Sequence, residues 1–309
     1  MLANFLSKSK PINFISLLVF FFLNFCIAVF SSFFDDGYSL DIVINLGILA
    51  LLFFTIFFIF NFINTRNNLT FDNSYAYFLF IVLVVILLSN LINYKILIKM
   101  TVYLLFLRKI YSLKSNKKTI AKLFDSGFWL GIFFILEPVF ILLFILIYLS
   151  IYLHNKITIH TLFTPLMGFI SPLIIFFTYS FWFDKTEEFT RLFYFDTRFS
   201  VELYVKSKYI WVIGTTFFLT IFAIILKSSK VLSVNNTFRK NWILLITNFF
   251  LLILLTILIP QKTESELIYI LFPIAIILAN GIELIEKKQF KDMILYFFFI
   301  GCVCFQFLL

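Results

Sequence analysis

Three groups of side chains in this 309-residue chain carry chemistry at spacings that matter. Asp35 and Asp36 stand side by side just after the first long apolar run. Adjacent carboxylates raise one pKa and leave the other ionised, so the pair could serve as a general base or hold a divalent cation. It reads equally as a solvated loop that stops the run from sliding. Glu137, followed by Pro138, lies inside the apolar run Phe124–Tyr152. An ionisable group within a membrane span is costly and marks an ion, proton or substrate path, or a partner for a base. The plainer reading is a protonated glutamate bonded to a neighbouring helix beside a proline kink. Arg191 and Arg198 are seven residues apart, so on a helix they share a face, and guanidinium forks suit the oxygens of a lipid phosphate. Their segment, Asp184–Lys208, interleaves charges with aromatic rings, as does an interfacial helix whose charges pair among themselves.

Other chemistry is absent or weakly marked. His154 and His160 have no carboxylates at ligand spacing, so no metal site is expected, and no cofactor beyond a divalent cation at Asp35 and Asp36. Cys26, Cys302 and Cys304 sit inside apolar runs, as buried thiols do. The chain has no phosphate-cradling glycine loop, no G-x-S-x-G and no paired C-x-x-C, which argues against ATP hydrolysis by this chain alone.

The elements that must position these groups are membrane helices. The chain is 62% hydrophobic and 13% charged, with a mean hydropathy of +1.05, far beyond the needs of a soluble core. Repeated apolar runs of about 18 residues or more without period-2 alternation specify an all-α, polytopic transmembrane bundle and exclude a barrel. The net charge of +9 belongs to loops beside spans and not to one face, which argues for anionic lipid and against nucleic acid. The first run is too long for a signal peptide and is read as a retained span with a cytoplasmic N-terminus. The basic loop from Arg108 to Lys122 is placed in the cytoplasm, with the following span leaving near Asp125 and surfacing near His154. That puts Glu137 roughly 18 Å along a straight helix, near the bilayer centre. Tyr75–Leu107, broken by Asn90, Asn93, Lys95 and Lys99, is split in two. Leu162–Phe183 contains Pro165, Gly168 and Pro172. It is either a tenth span or a re-entrant helix leaving nine, and the placement of the later basic loops favours the re-entrant form. With no linker or repeat, residues 1–309 read as one integral membrane domain.

The stretches KSKPINF, RKIYSLKSNKKTIAKLFDSGFWLGI and FPIAIILANGIE together resemble a multi-pass integral-membrane family of Bacteroidota described as a domain of unknown function. The resemblance covers most of the chain and implies the bacterial inner membrane. The acidic loop after the first span, and the late span LIYILFPIAIILA, are similar to membrane glycosyltransferases of the GT-C type and related envelope-glycan polymerases. In those enzymes an acid of the first outer loop acts at the sugar and arginines hold the lipid phosphate. The resemblance assigns these roles to Asp35 or Asp36 and to Arg191 or Arg198.

Three functions remain open on these grounds. One is action on a lipid-linked envelope glycan or polyprenyl-phosphate substrate at Asp35, Asp36, Arg191 and Arg198. Another is a transporter or flippase-like subunit working through Glu137. The third is a non-catalytic scaffold for an envelope assembly. Membrane lipids, a polyprenyl-phosphate-linked sugar and other membrane proteins are the expected partners.

Overall fold

The computed structural model describes residues 1–35, 40–195, 199, 201–231, 236–260 and 262–307; the side chains at 30–35, 42, 231, 306 and 307 are not described. Fifteen α-helices and no strand are found among them. In chain order they are α1 (Leu2–Leu6), α2 (Pro11–Asp35), α3 (Leu40–Asn67), α4 (Tyr75–Ile86), α5 (Leu88–Leu91), α6 (Tyr94–Ser112) and α7 (Thr119–Leu136). After a 3-10 turn at Pro138–Leu143 come α8 (Phe144–Leu153), α9 (Ile159–Trp182), α10 (Thr186–Arg191) and α11 (Glu202–Lys206). The chain ends in α12 (Ile210–Val231), α13 (Asn236–Leu258), α14 (Leu267–Glu283) and α15 (Lys288–Phe307). Among the described residues, six helices are long and apolar enough to cross a bilayer: Pro11–Val29, Val43–Asn67, Thr119–Leu136, Ile159–Trp182, Ile210–Lys230 and Asn236–Leu258. The all-α membrane architecture expected of the sequence is therefore present.

The helices fall into two compact units, one made of Met1–Ile98, Lys208–Val234 and Thr263–Leu309, the other of Lys99–Ser207 and Asn235–Lys262. At the centre of the first unit are two short helices, α4 and α14. All twelve residues of α4 and fifteen of the seventeen in α14 are buried. A helix that is apolar on every side belongs inside a bundle, and at twelve residues α4 spans only about 18 Å. Phenylalanines fill the space around it: Phe60 stacks on Phe80 with centroids 4.0 Å apart and meets Phe272 edge-on at 5.5 Å. The N-terminus is tied in by Asp292, which accepts from the Met1 ammonium and from the Ala3 N–H, both at 2.7 Å.

The second unit departs from expectation at Pro138. The run Phe124–Tyr152 does not form one span; α7 ends at Leu136 and the chain reverses. Proline has no N–H to continue the helix and disfavours helical backbone in the residue before it, so Glu137 is extended at φ −156°, ψ 94°. A straight helix of 29 residues would also measure roughly 43 Å, well beyond a hydrocarbon core of about 30 Å. The return is recorded by hydrogen bonds at the far end of α8. Ser150 Oγ donates to the Ile110 carbonyl at 3.4 Å, and Lys156 Nζ donates to the carbonyls of Leu113 at 2.5 Å and Ser115 at 2.9 Å. Glu137 therefore stands at a hairpin tip and not at the midpoint of a straight span.

Because α8 returns, α9 runs parallel to α7, and the two backbones touch. A Cβ added to Gly127 would collide with the Pro165 carbonyl oxygen, and one on Gly168 with the Phe124 carbonyl oxygen. One on Gly131 would lie 2.5 Å from both the Phe169 carbonyl oxygen and Pro172 Cγ. Contact between small residues four apart is a standard way for helices to associate in lipid, where no hydrophobic effect draws them together. The expected re-entrant break at Leu162–Phe183 is corrected by the same contact. Pro165 and Pro172 lie inside one continuous 24-residue helix, held where α7 covers them.

Gly127→Ala gains intrinsic helix propensity of about 1 kcal/mol yet must push the helices apart, so it should lower the thermal midpoint in detergent by about 5 °C. Gly214→Ala has the same propensity gain and meets no atom within 4 Å, so its midpoint should not fall. Equal midpoints for the two variants would disprove the α7–α9 contact.

Candidate functional site

The hairpin tip brings a base to Glu137. Lys99, near the start of α6, donates from Nζ to Glu137 Oε2 at 2.7 Å. No other hydrogen bond reaches this carboxylate among the described residues. The two side chains keep 25% and 17% of their surface exposed, so water or a ligand can reach them. Below the pair the site closes. Tyr103, one turn on from Lys99 along the same face, exchanges hydrogen bonds of 3.0 and 2.7 Å with the Asn248 side chain of α13. Its ring meets Phe133 at 6.0 Å, and Phe133 meets Phe140 at 4.3 Å. The result is a charged pair at an aperture with a neutral polar pair behind it, walled by rings.

A second ion pair, in the first unit, shows what a purely structural one looks like. Lys227 of α12 donates to Glu283 Oε2 at 3.2 Å, with 3% and 5% of the side chains exposed. The other oxygen of Glu283 accepts from the Phe71 N–H at 2.8 Å and Asn73 Nδ2 at 2.7 Å, and Lys227 Nζ lies 4.9 Å over the Phe71 ring. Each carboxylate oxygen is engaged and water is shut out. Such a pair clips the 67–74 loop to α12 and α14 and leaves nothing to exchange. The Lys99–Glu137 pair, partly exposed and with a single bond to its carboxylate, leaves room for a ligand.

The other residues expected to act are placed as follows. Asp36, Arg198 and the side chain of Asp35 lie outside the described residues. Arg191 is exposed at the end of α10 and pairs with Glu187 at 3.4 Å, one turn away, which fits a solvated face. Its segment is nonetheless at the same end of the second unit as Glu137. Phe193 and Phe195 approach Phe134 with centroids 6.0 and 6.4 Å away, and Tyr204 donates to the Thr256 carbonyl near the end of α13. His154 and His160 share no metal cluster, and none exists among the described residues.

Sequence reasoning missed Lys99 and the glycines, though both left signals. Lys99 interrupts an apolar run, and a lysine there needs a counter-charge just as Glu137 needs a base. The Gly127 and Gly131 spacing was legible as a close-packing face, but nothing local says which helix meets it. The Lys227–Glu283 pair is hidden in the sequence because Lys227 closes an apolar run, where a lysine reads as a charge at the end of a span.

Compared with known proteins, residues 1–308 match a family of unknown function, DUF6427. No curated protein and no solved structure matches the chain.

Removing one partner of Lys99–Glu137 strands a charge, whereas removing both does not. Lys99→Met and Glu137→Gln should each lower the thermal midpoint, and the double variant should recover part of the loss. A coupling of roughly 1 kcal/mol is expected once exposure is discounted. Strictly additive midpoints would show that the pair carries no energy.

Proposed function

The chain belongs to the family of unknown function DUF6427, and we propose that it is a polytopic inner-membrane protein working as an ion-coupled carrier, of the transporter or flippase class, through Lys99 and Glu137. The observation that supports this is the partly exposed pair at a broken helix. Membrane carriers place ionisable groups beside helix breaks because the freed backbone and the charge together can bind and release an ion. A proton arriving from one side would neutralise the Glu137 carboxylate and free the Lys99 ammonium to hold an anion; loss of the proton to the other side restores the pair. The basic end of the second unit, formed by the 113–118 loop, Lys156 and the start of α13, is assigned to the cytoplasm, and Glu137 to the opposite face. The N-terminus is assigned to the cytoplasm on the same rule.

A second reading, action on a lipid-linked glycan, draws support from the Arg191 segment, which lies at the Glu137 end of the second unit with exposed rings at Phe193, Tyr194 and Phe195. Such rings suit the head-group layer, where a polyprenyl phosphate would sit. It requires this segment on the non-cytoplasmic face, where Asp35 and Asp36 are expected.

Liposomes holding the purified chain and an internal pH-sensitive dye test the carrier. After an acid pulse they should acidify several-fold faster than empty liposomes, with Glu137→Gln returning the rate to background and Lys99→Arg retaining it. Equal rates for the wild type and Glu137→Gln would end the proposal. For the second reading, Tyr194→Cys in a background lacking Cys26, Cys302 and Cys304 should react with a membrane-impermeant thiol reagent on intact cells. Reaction only after lysis would exclude it.

A further inference from the structure

At the other end of the second unit, Lys122, Lys156, Lys240 and His154 gather near the Lys109–Asp125 ion pair, and no carboxylate bonds any of the four among the described residues. Lys122 of α7 donates from Nζ to the Ser112 carbonyl at 2.7 Å, the Ser115 carbonyl at 3.3 Å and Ser115 Oγ at 2.5 Å. Lys156 donates to the carbonyls of Leu113 and Ser115 and reaches Thr119 Oγ1 at 3.4 Å. Both ammonium groups thus share the Ser115 carbonyl, and each has its three N–H donors engaged by neutral oxygens. Their donors are satisfied but their charge is not, for no carboxylate pairs with either among the described residues. Beside them, His154 closes α8, and its Nε2 is buried without a hydrogen-bond partner among the described residues. Lys240, on the first turns of α13, adds a third positive charge to the field at the imidazole.

The His154 Nε2 is buried and unmatched beside partly exposed lysines that no carboxylate bonds, a polar atom that an anion would complete. We propose that a phosphate group binds here, accepting from His154 Nε2–H in the positive field of Lys122, Lys156 and Lys240. An oriented donor and lysines that no carboxylate bonds suit a phosphate's several oxygens and its charge. The site lies at the end of three apolar helices, so the phosphate comes either from an acidic phospholipid head group or from solution. It is separate from Lys99 and Glu137 and does not depend on the carrier proposal.

The electrostatics give the test its readout. Burial first, and then Lys156, Lys240 and Lys122, push His154 down to about 4, and burial with Lys122 and Lys240 also lowers Lys156. A bound phosphate would reverse the sign of the field at the imidazole and raise His154 by a unit or more, a tenfold or greater change in proton affinity. The chain has two histidines, so His160→Gln leaves one imidazole to follow by NMR in the full-length protein. Its titration is recorded in maltoside micelles free of phosphate, in the same micelles with inorganic phosphate, and in phosphatidylglycerol nanodiscs. A rise in nanodiscs alone identifies a lipid head group; a rise with inorganic phosphate identifies a soluble ligand. Lys240→Met should reduce either rise while leaving the phosphate-free titration low. The same low titration in all three media would overturn the proposal.

Discussion

Pro138 has no N–H, and that single missing donor organises the second unit. It ends α7 at Leu136, turns the chain at Glu137 and sends α8 back along α7 instead of onward. The return delivers Lys156 to the 113–115 carbonyls and starts α9 on the same side as α7, which makes the two helices parallel. Without the break, Gly127 and Gly131 would have no Gly168 to face, and Glu137 would have been buried in mid-span without Lys99.

The close approach of α7 and α9 follows from what lipid does not supply. Between apolar surfaces in a bilayer there is no water to expel, so association depends on packing and on satisfied polar groups. Glycines at four-residue spacing let the backbones meet, and Pro165 and Pro172, which would weaken an isolated helix, sit in that contact. The first unit solves the same problem with rings. Phe57, Phe60 and Phe80 interlock around α4, whose short, wholly apolar length suits a helix shielded by others.

Two of the ion pairs differ in exposure and in what they can do. Lys227–Glu283 is sealed, has its carboxylate oxygens engaged and works as a clip. Lys99–Glu137 is partly exposed with a single bond, so either partner can be exchanged. The lysines around His154 are a third arrangement, with satisfied donors and unsatisfied charge. Burial, bond count and the presence of an opposing charge distinguish them; residue type alone does not.

Composition and the length of the apolar runs were enough to determine that this chain is a bundle of membrane helices, because in lipid the backbone must pair within itself and no other all-helical solution buries so little polar surface. The division of Tyr75–Leu107 was legible too, since a charge or an amide is a marked defect in an apolar run. The direction of the chain after Glu137 was not read, although Pro138 and a 29-residue run together were a signal for reversal. What only the tertiary structure decided is pairing: Lys99 with Glu137, Lys227 with Glu283, Gly127 with Pro165, and His154 with lysines from two other helices. Apolar periodicity is nearly uniform along these helices, so it specifies which residues are helical but not which neighbour each meets. That choice is made by where the chain turns and by the few side chains whose charge or size cannot face lipid.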